Sequence, residues 1–152
     1  MTLDTHLANV GAAAVLDGLN LGAASHHKVA IIATTVEGDV VYWNAAAEQL
    51  YGWRRDEAVG RNVVTLKASA QNREQAQEVM RTLQAGHSWS GEIVLRRRNG
   101  APFTAFVADL PVGDGPDGLI VGVSAPTERR DAVLEFHAGL LGAVERLGGT
   151  AA

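Results

Sequence analysis

The dipeptide Asn99-Gly100, set between the runs Ile93–Arg98 and Pro102–Leu110, constrains the fold more than any other feature of the chain. Both central residues of a type I′ turn need positive φ, which Asn and Gly tolerate, so the pattern predicts a tight antiparallel hairpin. A third strand is expected over Leu119–Ser124, after the loop Gly113-Asp114-Gly115-Pro116-Asp117-Gly118. Upstream, Val29–Thr35 reads VAIIATT, short and β-branched, which suits a buried strand. Glu37-Gly38-Asp39 turns it into a second strand over Val40–Trp43.

Helical signals fall between these groups. Asn44 can cap a short helix over Ala45–Tyr51 that Gly52 ends, and Asp56 a brief turn through Ala58 and Val59 closed by Gly60. The clearest helix is Asn72–Ala85, with Ala76, Val79, Met80 and Leu83 on one face and Gly86 as its stop. Leu3, Leu7, Val10 and Ala14 give residues 3–21 an amphipathic pattern; Val133, His137, Leu140, Val144 and Leu147 do the same beyond Pro126. Five strands with helices segregated in the middle predict an α+β fold, a five-stranded antiparallel sheet with short helices between its strands and flanking N- and C-terminal helices. The expected divisions are an N-terminal helix and linker over 1–27, a central domain over 28–126 and a C-terminal helix over 127–152.

Composition narrows the function classes. The chain has 152 residues, 47% of them hydrophobic and 20% charged, enough for one domain with its own core. With no cysteine there is no disulfide, thiolate metal site or thiol photochemistry. The net charge of −4 lacks the basic footprint of a nucleic-acid binder, and no apolar run approaches the ~20 residues that span a bilayer. The start, MTLDTHLANV, does not read as a signal peptide, and Gly148-Gly149-Thr150-Ala151-Ala152 reads as a linker, so a cytoplasmic piece of a longer protein is expected.

Catalytic constellations fail on inspection. Gly122-Val123-Ser124-Ala125-Pro126 starts like a nucleophile elbow but ends in proline. His26-His27 are adjacent rather than four apart, so no metal site is expected. Arg96-Arg97-Arg98 at a strand end reads as solvated charge beside a hairpin. No enzyme activity is expected.

Residues 38–53, GDVVYWNAAAEQLYGW, followed by Glu57-Ala58-Val59-Gly60-Arg61, closely resemble the signature of the PAS sensory family. Trp89-Ser90-Gly91-Glu92 through Arg98-Asn99-Gly100-Ala101-Pro102-Phe103 resembles that family's next two strands. The resemblance spans about residues 28–128. It implies a sheet cupping short helices around a small-molecule cavity, and a role in sensing rather than catalysis.

On that basis Val59, Val63, Leu66, Val79, Met80, Leu83, Phe103 and Phe106 are expected to line an apolar cavity. Methionine makes an adaptable wall, and a fatty-acid-like ligand is the leading expectation, with Lys67 or Arg61 meeting its carboxylate. Haem-binding members take an axial histidine from the long helix. None lies in Asn72–Ala85, leaving His87 as a weak candidate, while non-covalent flavin stays open. The family's Asp-hydrophobic-Thr output motif is matched by Ala125-Pro126-Thr127, with alanine in place of the carboxylate and Thr127 free to cap the following helix. Leu3, Leu7, Val10, Val133, Leu140 and Val144 are expected to form a homodimer surface. The effector in the same protein is expected to be a kinase, a cyclase or, by resemblance to N-terminal sensors of multidomain regulators, a sigma-factor regulatory phosphatase. The alternative is a ligand-free dimerisation or protein-interaction module.

Overall fold

A computed structural model describes residues 28–69, 72–113 and 118–146. Five strands, β1 (Ala30–Thr35), β2 (Val40–Trp43), β3 (Trp89–Arg96), β4 (Pro102–Val112) and β5 (Leu119–Pro126), form one antiparallel sheet in the order β2-β1-β5-β4-β3. Helices α1 (Ala45–Tyr51), α2 (Arg55–Ala58), α3 (Val63–Lys67) and α4 (Arg73–Gln84) fill the crossover from β2 to β3. After a 3₁₀ turn at Thr127–Arg129, α5 (Arg130–Arg146) follows β5. The α+β architecture expected from the sequence is the one observed.

The sheet is apolar on both faces because side chains alternate across it. Ile31 and Ala33 point one way with Phe106, Ala108, Leu110, Val121 and Val123. Ala30 and Ile32 point the other way with Ala105 and Val107, onto Trp43, Ala47, Tyr51 and Ala58. Helices α1 to α4 belong to this second, inner face; α5 covers the first.

That placement corrects the expected dimer surface. Val133, Leu140 and Val144 are buried at 0%, 3% and 1% exposure against the chain's own sheet, so they are spent within the protomer. Leu3, Leu7 and Val10 lie outside the described residues. Among the described residues, the exposed large apolar side chain of α5 is instead Leu134.

The central hairpin also departs from the expected turn. Arg96 pairs with Pro102, Arg97 N–H donates to Ala101 O at 3.0 Å and Gly100 N–H to Arg97 O at 2.8 Å. Only Gly100, at φ 88°, enters the left-handed region, and Asn99 instead accepts from Ala101 N–H at 2.9 Å. This is a longer loop with a glycine bulge rather than a two-residue type I′ turn. Around α2, Arg54 rather than Asp56 occupies the N-cap, where the Glu57 carboxylate accepts from its backbone N–H at 3.0 Å. Thr127 does not cap α5; its hydroxyl donates to Thr104 O at 3.3 Å.

Two measurements test the docking of α5. Leu140→Ala is expected to lower stability by about 2–5 kcal/mol in urea unfolding, the range for a buried leucine, at a midpoint independent of protein concentration. His137 Nε2 is buried without a partner among the described residues, and desolvation lowers the pKa below its ordinary 6.5. The unfolded chain therefore binds the proton more readily, so stability is flat above about pH 7.5 and falls as the pH drops through 6.5. Urea midpoints of the wild type relative to His137→Gln should show that fall from pH 8 to pH 5, the comparison cancelling the opposite contribution of Asp109, whose raised carboxyl binds its proton more readily in the folded chain.

Candidate ligand cavity

Asn44 fixes where the inner cover begins. Its Oδ1 accepts from Ile31 N–H at 3.0 Å and from Ala47 N–H at 2.9 Å, while its Nδ2 donates to Val29 O at 3.1 Å. One side chain thus caps α1 and pins it to β1. Gly52, at φ 84°, closes the helix, and Trp43 Nε1 donates to Trp53 O at 2.9 Å just beyond. Inside, Tyr51 Oη and Ser124 Oγ lie 2.7 Å apart, a buried polar pair satisfied within itself.

Polar stitches then carry the chain along the rim. Val40 N–H donates to Arg61 O at 2.9 Å and Gly60 N–H to Val40 O at 2.8 Å. Asn62 caps α3 by accepting from Val64 N–H at 2.9 Å and donates to Glu37 O at 3.2 Å. Arg96 of β3 donates to Ala68 O at 2.9 Å and Thr65 O at 2.7 Å, tying the end of α3 to the sheet. By contrast, α4 buries fully only Leu83, and Gln84 Nε2 donates to Val36 O at 2.7 Å near its end.

Between α3, α4 and the inner face lies an apolar cavity of about 70 Å³. Its walls are Val63, Val64 and Ala68 beside α4's Ala76, Val79, Met80 and Leu83, facing Ile32, Trp89, Ile93, Leu95, Val107 and Ile120 of the strands. Of the residues expected to line it, Val63, Val79, Met80 and Leu83 do so. Val59 is 43% exposed outside it, and Leu66 is buried in the core. Phe103 packs on the Tyr51 ring at 5.8 Å with the Arg97 guanidinium 4.2 Å over its face. Phe106 lies on the opposite face of the sheet, beneath α5. His87 is exposed and lines no part of the cavity.

Of the two proposed anchors for a carboxylate, Lys67 reaches the cavity and Arg61 does not. Arg61 is exposed, its guanidinium 5.4 Å from the centre of the Trp53 ring. The arginine run is structural as well: Arg97 donates to Leu50 O, and Arg98 pairs with Glu57 at 2.9 Å.

The group that sequence reasoning missed is Asp109. It lies on the inner face of β4, opposite Trp89 of β3 and Gly122 of β5. A Cβ at position 122 would stand 2.5 Å from Asp109 Oδ1, so glycine there makes the room that the carboxyl occupies. Burial pushes this carboxyl up from its ordinary 3.8 to about 6, with the charge of Lys67 pulling the other way. The available signal was an acidic residue at an inward position of an otherwise apolar strand, two residues after Val107.

A family model described as PAS fold matches residues 23–125. Over 104 residues, 61% of the chain, the sequence is 34% identical to Adagio-like protein 3 of Oryza sativa subsp. japonica, and the chain spans 16% of that protein. A fungal LOV-domain photoreceptor superposes with a TM-score of 0.56 at 28% identity, over 66% of this chain and 75% of that one. The PAS domain of the Cronobacter turicensis RpfR quorum-sensing receptor, in complex with BDSF, superposes with a TM-score of 0.54 at 18% identity, over 66% and 94%. A sheet in the order β2-β1-β5-β4-β3, short helices cupped on its inner face and a family match over more than half of the chain lead to one assignment: this protein belongs to the PAS family.

Proposed function

We propose that this PAS domain senses an elongated apolar molecule, of the fatty-acid class, in the cavity between α4 and the sheet. The observation that carries the reading is the cavity wall itself, aliphatic on α3 and α4 apart from Lys67, with the flexible thioether of Met80 among its residues. At about 70 Å³ the space is well below the roughly 300–1,000 Å³ of small-molecule sites, so a ligand enters by moving Met80 and lifting α4. That helix is suited to the movement, since Ala76, Val79 and Met80 are only half buried and, among the described residues, the side chains that tie it to the sheet side are Asn72 and Gln84, one at each end. The reading is supported by the fold shared with a PAS domain solved in complex with BDSF. A flavin is disfavoured by chemistry: the polar edge of its ring system would face aliphatic side chains over most of this wall.

Occupancy would reach the outside through the sheet. Ile32, Val107 and Ile120 meet the cavity, while Ile31, Ala108 and Val121, their neighbours in the same strands, lie under α5. A change in sheet curvature would therefore alter the seat of α5. The receiver in this proposal is an effector in the same longer protein, a kinase, a cyclase or a sigma-factor regulatory phosphatase, in the cytoplasm. Among the described residues no helix is long and apolar enough to cross a membrane.

The second reading, a ligand-free interaction or dimerisation module, draws on the small volume of the cavity and on exposed Leu134. Native mass spectrometry of the purified chain separates the two. An added mass of a few hundred daltons, or uptake from a panel of eight- to sixteen-carbon monocarboxylic acids, is expected under the first. Met80→Trp should then fill the space and reduce uptake at least tenfold, with circular dichroism unchanged. Bare polypeptide mass with no uptake from the panel, together with a concentration-dependent dimer in analytical ultracentrifugation, would replace the ligand reading by the second.

A further inference from the structure

The polar groups that face the cavity are few and sit together. Thr34 lines it, but its hydroxyl donates to Thr35 O at 2.8 Å. Besides the indole N–H of Trp89, which stands opposite Asp109 in β3, that leaves Asp109 from the sheet and Lys67 from α3, whose Nζ lies 5.2 Å from the centre of the Tyr51 ring. The Asp109 carboxyl has no hydrogen-bond partner among the described residues, and the two side chains interact without forming an ion pair within 4.0 Å. The other charged groups on the surrounding elements point elsewhere. Arg73, Glu74, Glu78 and Arg81 of α4 and Glu92 of β3 are exposed, and Arg96 is engaged with Ala68 O and Thr65 O.

We infer that Asp109 and Lys67 read the ligand's head group as an acceptor and a donor, so that a monocarboxylic acid binds only together with a proton, shared between its own carboxyl and that of Asp109. This rests on the ligand reading above and specifies its chemistry. Charge balance gives the reason. Ionised Asp109 and protonated Lys67 sum to zero, and a bare carboxylate would leave a net negative charge in an apolar, partly closed space. Two carboxylates in one site cannot both ionise cheaply, so one keeps a proton. With that proton, the ligand carboxyl accepts from Lys67 Nζ and a single O–H bridges it to Asp109, restoring neutrality. A fatty alcohol brings both functions in one hydroxyl, accepting from Lys67 and donating to Asp109, and needs no proton from solution.

Calorimetry on the intact chain with decanoic acid and decan-1-ol, from pH 6.5 to 8.5 in two buffers of different ionisation enthalpy, tests this. For the acid, about one proton should be taken up per molecule bound and Kd should rise about tenfold per pH unit, whereas the alcohol should bind with a flat profile. In Asp109→Asn the shared proton has no place, so the acid should bind with no proton uptake and a flat profile. Acid binding to the wild type without proton uptake and without pH dependence would overturn the inference while leaving the cavity's role as a ligand site intact. Failure of both compounds to bind at any pH would overturn the two together. Proton counting on the wild type decides the matter even where the variant does not fold.

Discussion

A five-stranded sheet with apolar side chains on both faces has to be covered twice, and the rest of this structure follows from how the chain does it. Ile31 and Ile32 are adjacent in β1 yet belong to different cores, one beneath α5 and one beneath the short helices. Neither face is a surface that water could wet without cost. The outer cover is a single amphipathic helix, joined to the last strand by a 3₁₀ turn in which Arg129 donates to Lys28 O at 2.8 Å. The C-terminal helix is therefore part of the fold before it is a connector.

The inner cover is made differently. Helices of four to seven residues cannot hold themselves, since nucleation costs more than so few backbone bonds return. They persist because polar side chains bind them to the strands, Asn44 to β1, Asn62 to the turn before β2 and Arg96 to the end of α3. The longest inner helix, α4, is tied among the described residues by Asn72 Nδ2 to Val94 O at 3.4 Å and by Gln84 Nε2 to Val36 O at 2.7 Å, and it lines the cavity.

Much of this was legible in the residues. The strands appeared as β-branched runs, α1 ended at the glycine that marked it, and Val63, Val79, Met80 and Leu83 were placed in the cavity by helical spacing and resemblance. The readings that moved did so for physical reasons. Helical periodicity shows that Val133, Leu140 and Val144 share a face but not what that face meets, and the sheet's own outer side proved the nearer partner. Phe106 was assigned to the cavity because aromatic residues in a strand look alike from either side; a one-residue step in the alternation separates it from Val107, which does line the wall. Asn99-Gly100 announced the hairpin correctly, yet one positive φ, at Gly100, was enough to close it.

Asp109 is the residue at which local pattern and global fold disagree, and such disagreements collect at functional sites. A strand reading AFVADLPV would bury its inward positions more cheaply with valine or alanine at 109, as it does at 105 and 107. Instead it carries a carboxyl whose ionisation burial opposes, and the facing strand gives up a side chain at Gly122 to accommodate it. Packing alone explains neither choice. At this position ionisation of the carboxyl is opposed by the surrounding apolar side chains, and under the proposed reading hydrogen bonds from a ligand head group would offset that cost. Under that reading the cost would be a free-energy difference between ligand-free and ligand-bound forms, the kind of difference by which a ligand shifts an equilibrium.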